Sequence, residues 1–138
     1  MSPARAYVAL GSNLGDRAAM LALGLEGLAA LPETVLVGVS TVEETAPLGG
    51  LDQPWYLNQM TALDTALTPA LLLTACLAIE QRAGRTRDER WAPRTLDLDI
   101  VDYGGLELVL PGLTLPHPGL ADRDFWRRGI DELRNRGR

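Results

Sequence analysis

Hydrophobic and polar positions follow two different periods along this chain, and together they predict a mixed fold. Alternation and β-branched residues predict strands at residues 5–10, 34–45, 55–65 and 95–103. Helical spacing of apolar residues predicts one helix over residues 17–31, capped by Asp16, and a second that is capped by Thr68, begins at Pro69 and closes at Gly84. Gly104-Gly105 predicts a hairpin to a further strand at residues 106–110, and residues 121–136 predict a terminal helix.

This order of elements is typical of an α+β fold with a ferredoxin-like βαββαβ core, in which helices back an antiparallel sheet. The hairpin strand and the C-terminal helix are additions to that core. The length of 138 residues, with neither repeats nor a linker, indicates a single domain over residues 1–138. Because this fold hosts binders, regulators and enzymes alike, it does not establish a function.

Charge and composition narrow the possible partners. The formal net charge is −5, so the average surface field repels nucleic acid and anionic membranes. No apolar stretch reaches the roughly 20 residues that span a bilayer. The single cysteine, Cys76, and an N-terminus without a secretory signal favour a reducing cytoplasm. We expect a cytoplasmic monomer that binds neither nucleic acid nor membrane.

The most informative stretch is a predicted strand that carries two acidic residues. Strand geometry sends Asp97 and Asp99 to one face and Leu98 to the other. Carboxylates about 7 Å apart along a strand can together hold a pair of magnesium ions. The alternative is a half-exposed strand whose aspartates face water. Aspartate is a poor strand former, so two of them inside a strong strand favour a ligand role.

Four arginines lie immediately before that strand, within residues 84–94, and the chain contains no lysine. They are Arg85, Arg87, Arg90 and Arg94. Arginine forks hold phosphate oxygens while magnesium bridges others, which is the combination that phosphoryl transfer requires. Taken alone, these arginines are equally compatible with surface ion pairs. The absence of lysine excludes a P-loop nucleotide site.

Aromatic residues make up only 5% of the chain, yet they gather beside loops, at Trp55, Tyr56, Trp91, Phe125 and Trp126. Flat rings can stack on a heterocycle, and Asn58, on the same strand face as Tyr56, can read its polar edge. Core packing is an equally good explanation for each ring. His117 lies between two prolines, where a phosphate contact, a proton role and passive exposure all remain open.

Several short motifs occur in a fixed order between about residues 7 and 125. They are GSNLG at 11–15, TAPLG at 45–49, DQP at 52–54, YLN at 56–58, GR at 84–85, ERWAPRTLDLDI at 89–100 and LPH at 115–117. Together they resemble the motifs of the 6-hydroxymethyl-7,8-dihydropterin pyrophosphokinase family of folate biosynthesis.

The resemblance implies transfer of pyrophosphate from ATP, as co-substrate, to the hydroxymethyl group of the pterin, with release of AMP. By likeness, Asp97 and Asp99 bind two Mg²⁺ ions, and Arg85 and Arg94 stabilise the transferring group. Likeness also assigns ATP binding to Glu80, Arg87, His117 and Arg123, and pterin binding to Thr45, Leu48, Tyr56, Asn58, Trp91 and Phe125. The alternative is a non-catalytic ferredoxin-like module that binds a ligand or regulates.

Overall fold

Five strands form one antiparallel sheet in the computed structural model, which describes residues 3–47, 54–84 and 96–136. The strands are β1 (Ala4–Ser12), β2 (Thr34–Val39), β3 (Glu43–Thr45), β4 (Tyr56–Thr65) and β5 (Asp97–Tyr103). Four of them lie in the order β2, β4, β1, β5, and β3 pairs with β4 beyond the end of β2. The protein is therefore a mixed α+β protein, as the sequence predicts.

The described residues contain three α-helices, which cover both faces of the sheet. They are α1 (Arg17–Ala29), α2 (Pro69–Gly84) and α3 (Asp124–Arg136). α1 and α2 pack over one face, where Leu10, Leu63 and Ile79 are buried. α3 packs over the other face, against Tyr7 and Met60. β1 is consequently buried on both faces and forms the centre of the molecule.

Local sequence signals place the helix starts correctly. The Asp16 carboxylate accepts the backbone N–H of Ala19 at 3.0 Å and caps α1. The Thr68 hydroxyl oxygen accepts the backbone N–H of Leu71 at 3.2 Å and caps α2 ahead of Pro69. Both helices thus begin where their capping residues predict.

The predicted strand over residues 34–45 is two strands. β2 ends at Val39, and Ser40 then bonds to Met60 through both its backbone and its side chain. Thr41 donates its N–H and its hydroxyl to the Glu132 carboxylate of α3. These contacts bend the chain before β3 begins at Glu43, and their partners are too distant in sequence for a periodicity argument to find.

The predicted hairpin between β5 and residues 106–110 is wrong. Gly104 and Gly105 do form a tight turn with positive φ angles of 58° and 75°. The chain then leaves the sheet, and β6 (Leu108–Leu110) pairs with β7 (Leu113–Leu115) as a separate two-stranded sheet. The turn between them is Pro111-Gly112, with φ of 77° at Gly112. Pro-Gly is a standard turn signal, so the sequence did contain a signal for the turn of this hairpin, although not for its strand pairing.

One glycine in α3 allows the helix to approach β4 closely, which predicts a cost for adding a methyl group. A Cβ at Gly129 would lie 2.7 Å from the Cβ of Met60. We expect Gly129→Ala to lower the free energy of unfolding by about 1–2 kcal/mol, because overpacking outweighs the gain in helix propensity. Denaturant titration measures this difference.

Gly84→Ala is the matched control, since a Cβ at Gly84 would meet no atom of the described residues within 4 Å. The control should leave stability unchanged or slightly raised. Equal effects of the two substitutions would show that close packing of α3 does not limit stability.

We expect from the sequence that no segment spans a bilayer and that Cys76 is a reduced thiol. Within the described ranges, each helix is too short or too polar to cross a bilayer. The Cys76 thiol is buried in α2, and burial raises its pKa to about 12, with Glu80 and Asp99 adding to the shift. The thiol is therefore protonated and unreactive at neutral pH.

Candidate active site

A cavity of about 260 Å³ lies where β1, β4, β5 and the start of α3 meet. Seven of the residues predicted to form the site line it, and they are Thr45, Tyr56, Asn58, Asp97, Asp99, Arg123 and Phe125. The sheet and α3 bring together residues that are up to 80 positions apart in the sequence. The fold therefore brings both predicted metal-binding residues and four of the six predicted pterin-binding residues to one place.

Strand register sets the spacing within this cavity. Gly11 of β1 pairs with Asp97 on one side and with Asn58 on the other, so it lies between the acidic strand and the polar amide. A Cβ at Gly11 would approach the Asn58 Oδ1 to 3.4 Å and the Tyr56 ring to 3.7 Å. The absent side chain keeps the floor of the cavity open at this point.

Asp97 and Asp99 lie on the cavity face of β5, as the strand pattern predicts. Leu98 and Ile100 are buried on the opposite face and anchor the strand to the core. Both aspartates are only partly buried, so solvent and ligands reach them. Among residues 3–47, 54–84 and 96–136, no three His, Cys, Asp or Glu side chains are arranged to hold a metal ion by themselves.

The rest of the polar and aromatic wall of this cavity consists of the Asn58 amide and the rings of Tyr56 and Phe125. The Asn58 Nδ2 donates to the Thr45 hydroxyl oxygen at 2.6 Å, across the β3–β4 pairing. This bond fixes the direction of the amide group. Tyr56 and Phe125 contribute rings to the same cavity from β4 and α3.

A second cavity, of about 300 Å³, adjoins the first at Asp99. Its walls come from α2, β5, the β6–β7 hairpin and the segment after it, and they combine aliphatic side chains with the polar residues Asp99, Thr114 and His117. Asp99 lines both cavities. A single carboxylate therefore lies on the walls of two cavities, one edged by aromatic rings and one lined by aliphatic and polar side chains.

His117 stands beside this shared carboxylate. Its Nδ1 accepts the backbone N–H of Gly119 at 2.9 Å, and its Nε2 lies 3.6 Å from the Asp99 Oδ1. Burial lowers the pKa of His117, the Asp99 carboxylate opposes that shift, and the Arg123 guanidinium adds to it. Since Nδ1 is an acceptor, the neutral ring carries its proton on Nε2, toward Asp99.

Arg123 and Trp126 lie where the segment that contains His117 joins α3. The Arg123 guanidinium lies 4.7 Å from the centre of the Trp126 ring, and the edge of His117 contacts the same ring at 4.9 Å. Gly119 makes room for this arrangement, because a Cβ there would lie 2.0 Å from an Arg123 nitrogen. The Arg123 guanidinium is thereby held at the wall of the first cavity.

Glu80 takes a different position from His117 and Arg123, the other predicted ATP-binding residues that the structure describes. It belongs to the buried face of α2 and lines neither cavity. Its Oε2 accepts the backbone N–H of Leu98 at 2.7 Å. The carboxylate thus contacts the backbone between the two aspartates.

Five predicted site residues lie outside the described residues, and their roles stay predictions. They are Leu48, Arg85, Arg87, Trp91 and Arg94. Trp126, in contrast, lines the first cavity although the sequence left its role open between core and ligand contact. It is also part of the core, since only 5% of its surface is exposed.

An ion pair fastens the Phe125 wall to the opposite wall of the first cavity. Arg128, one turn after Phe125, donates through Nε and Nη2 to the Glu43 carboxylate of β3, and its Nη1 lies 3.0 Å from Asp124. β3 also carries Thr45. The pair therefore links the helix that holds the ring to the strand that holds the hydroxyl.

On the sequence-based assignment of a pterin to the first cavity, we expect Arg128→Leu to raise the KM for the pterin about twofold to fivefold, because an exposed ion pair contributes little and acts here only through the position of Phe125. Arg128→Lys should recover part of the loss, since it keeps the charge but not the two-point contact. Steady-state kinetics with varied pterin provide the measurement. An equal rise in the KM for ATP would exclude this local effect.

These features define an α+β protein with an acidic strand between an aromatic pocket and an aliphatic one. The family model described as 7,8-dihydro-6-hydroxymethylpterin-pyrophosphokinase matches residues 7–135, and the chain belongs to this family.

Relatives from several bacteria support the assignment. Proteins called 2-amino-4-hydroxy-6-hydroxymethyldihydropteridine pyrophosphokinase are 48% identical in Methylorubrum extorquens and 50% identical in Pseudomonas aeruginosa, over 88% of this chain and 77% and 75% of theirs. The Bacillus subtilis protein of the same name is 40% identical over 93% of this chain and 77% of its own. The similarity thus extends over most of both chains.

Proposed function

We propose that this chain transfers pyrophosphate from ATP to the hydroxymethyl group of 6-hydroxymethyl-7,8-dihydropterin and releases AMP, a step of folate biosynthesis. The observation that carries the proposal is the position of Asp99 on the wall of both cavities. A reaction between two substrates needs their reacting groups side by side. The acidic strand is where the two spaces meet.

The first cavity suits the pterin. Tyr56 and Phe125 offer ring faces for stacking, and the Asn58 amide offers a donor and an acceptor to a polar heterocycle edge. The Thr45 contact orients that amide before any ligand arrives. Such preorganisation lowers the entropy cost of binding.

The second cavity suits the nucleoside end of ATP. Leu73, Ile100 and Leu113 provide apolar walls for a flat base, with the Thr114 hydroxyl nearby. His117 lines the second cavity beside Asp99 and Arg123 lines the first, so both lie near the shared carboxylate, where phosphate groups would pass. Arginine suits this position because its fork matches phosphate geometry.

Asp97 and Asp99 fit a magnesium site that is completed by substrate phosphates and water better than a metal site formed entirely by protein side chains. Magnesium is commonly bound by one or two carboxylates together with substrate phosphates and water. Two half-exposed carboxylates on the cavity wall meet that description. We propose two Mg²⁺ ions here, which would orient the polyphosphate and neutralise its charge.

In the proposed reaction, the hydroxymethyl oxygen bonds to the β-phosphorus, and the bond from that phosphorus to the oxygen bridging to the α-phosphorus breaks. AMP leaves with the bridging oxygen, and the hydroxyl proton passes to solvent or to a nearby acceptor. By likeness to the family, Arg85 and Arg94 stabilise the transferring group, Arg87 holds ATP, and Leu48 and Trp91 contact the pterin.

Finer features of the sequence prediction are proposals of the same kind. The strand order β2, β4, β1, β5 with crossover helices α1 and α2 supports a ferredoxin-like core. The lone, buried Cys76 thiol supports a reducing, cytoplasmic location. The monomeric state remains a prediction.

A coupled assay for AMP tests the function. AMP should form only when ATP, the pterin alcohol and Mg²⁺ are all present, and omission of any one should abolish it. Calorimetry that detects binding of ATP and pterin without AMP release would instead favour the non-catalytic binding or regulatory module, which family membership does not favour.

A further inference from the structure

The buried carboxylate of Glu80 has no place on either cavity wall, yet it lies close to the reaction site. Glu80 is 8% exposed, and its Oε2 accepts the Leu98 N–H at 2.7 Å. Burying a carboxylate costs free energy unless it is well bonded. The distance of 2.7 Å is at the short end of the range for an N–H donor and an oxygen acceptor. The contact is therefore a firm link between α2 and β5.

β5 requires such a link because it pairs with another described strand, β1, on one side only. Backbone N–H groups in an antiparallel pair point alternately toward and away from the partner strand. Glu80 takes up the outward N–H of Leu98. Farther along, the Val101 carbonyl accepts the N–H of His117 at 2.9 Å. The outer edge of the acidic strand is thus anchored at two points.

We propose that Glu80 is a positioning residue, which fixes the backbone between Asp97 and Asp99 and thereby sets the relative orientation of their carboxylates. This inference rests on the proposed function, in which those two side chains bind metal. Groups that hold metal ligands in place typically change metal affinity by about 10-fold to 100-fold when they are removed. Glu80 would thus support ATP binding through the strand, without touching ATP.

A direct contact between Glu80 and ATP is the competing explanation, and it predicts different behaviour. Losing a direct contact weakens nucleotide binding with or without metal. Losing a positioning contact weakens only the metal-dependent part, and it changes the Leu98 amide in the absence of any ligand.

Two substitutions separate the geometry of the contact from its charge. Glu80→Gln keeps an oxygen that can accept the Leu98 N–H, whereas Glu80→Leu removes it at similar volume. Glu107→Gln is the matched control, because Glu107 is exposed and outside both cavities.

The experiment combines amide hydrogen exchange at Leu98, measured by NMR on the ligand-free protein, with Mg²⁺ titration of α,β-methylene ATP binding. Glu80→Leu should exchange the Leu98 amide at least about tenfold faster and raise the Mg²⁺ concentration for half-saturation about tenfold. Glu80→Gln should stay within about threefold of the wild type in both. Metal-free nucleotide affinity should not change in any variant.

Unchanged Leu98 exchange in Glu80→Leu would overturn the proposal, and so would a loss of metal-free nucleotide affinity in either variant. If Glu80→Leu does not fold, as judged by circular dichroism, a tenfold loss of Mg²⁺ dependence in Glu80→Gln overturns it instead. Failure of the proposed function gives a separate result, because wild-type protein would then show no Mg²⁺-dependent binding at all.

Discussion

Replacing Asp97 or Asp99 with asparagine is expected to lower kcat for AMP formation by about 10³-fold or more. The amide keeps the size of the side chain but cannot supply the negative charge that a hard cation prefers. Loss of one charge-stabilising group in an active site commonly costs about 10²–10³-fold, and a carboxylate needed for a metal costs at least as much. A coupled AMP assay at saturating substrates measures the loss.

Asp102→Asn is the matched control on the same strand. Asp102 is half-buried in β5 and lines neither cavity, so its replacement should change kcat by no more than about twofold. Circular dichroism and thermal unfolding verify that all three variants fold. More than a tenth of wild-type activity in both Asp97→Asn and Asp99→Asn would remove the basis of the metal assignment.

Truncating Phe125 to alanine is expected to raise the KM for the pterin by about 10-fold to 100-fold and leave the KM for ATP nearly unchanged. Stacking of an aromatic ring on a nucleic-acid base contributes about 1–3 kcal/mol, and a pterin offers a similar flat face. Phe125 lines the first cavity and not the second, so its loss should act on one substrate only. Steady-state kinetics with each substrate varied separate the two effects.

Trp55→Ala provides the comparison for that substitution. Trp55 is 53% exposed and lines neither cavity, although it precedes Tyr56 directly. Its loss should leave both KM values within about twofold. If Phe125→Ala raised both KM values equally, Phe125 would be a structural residue of α3 and not a stacking partner.

The acidic strand could be predicted because its signal is local. A period of two residues fixes which side chains share a face, whatever the rest of the chain does. Asp97 and Asp99 therefore lie together on the cavity wall, with Leu98 buried behind them. Helix starts at Asp16 and Thr68 are local in the same sense, since each capping oxygen bonds three residues ahead.

The features that the sequence did not predict depend on contacts between distant segments. A glutamate such as Glu80 is a residue type that often binds ligands. Only the packing of α2 beside β5 shows that its carboxylate bonds to the Leu98 N–H. The break at Ser40 depends likewise on Thr41 reaching Glu132, 91 residues later. Local propensity contains no information about such partners.

The β6–β7 hairpin shows a different kind of error. Two turn signals lie close together, Gly104-Gly105 and Pro111-Gly112, and both form turns. The sequence alone did not indicate which turn joins paired strands. In the structure, contacts with Glu80 and His117 occupy positions along the outer edge of β5, and the strand after Gly105 pairs elsewhere.

Manganese binding in the presence of α,β-methylene ATP tests the central claim most directly, because electron paramagnetic resonance counts the bound ions without requiring turnover. Two Mn²⁺ ions should bind per wild-type chain when the nucleotide is present, and the Asp97→Asn/Asp99→Asn double variant should lose both at the same concentrations. Retention of two ions with unchanged affinity in the double variant would contradict the account.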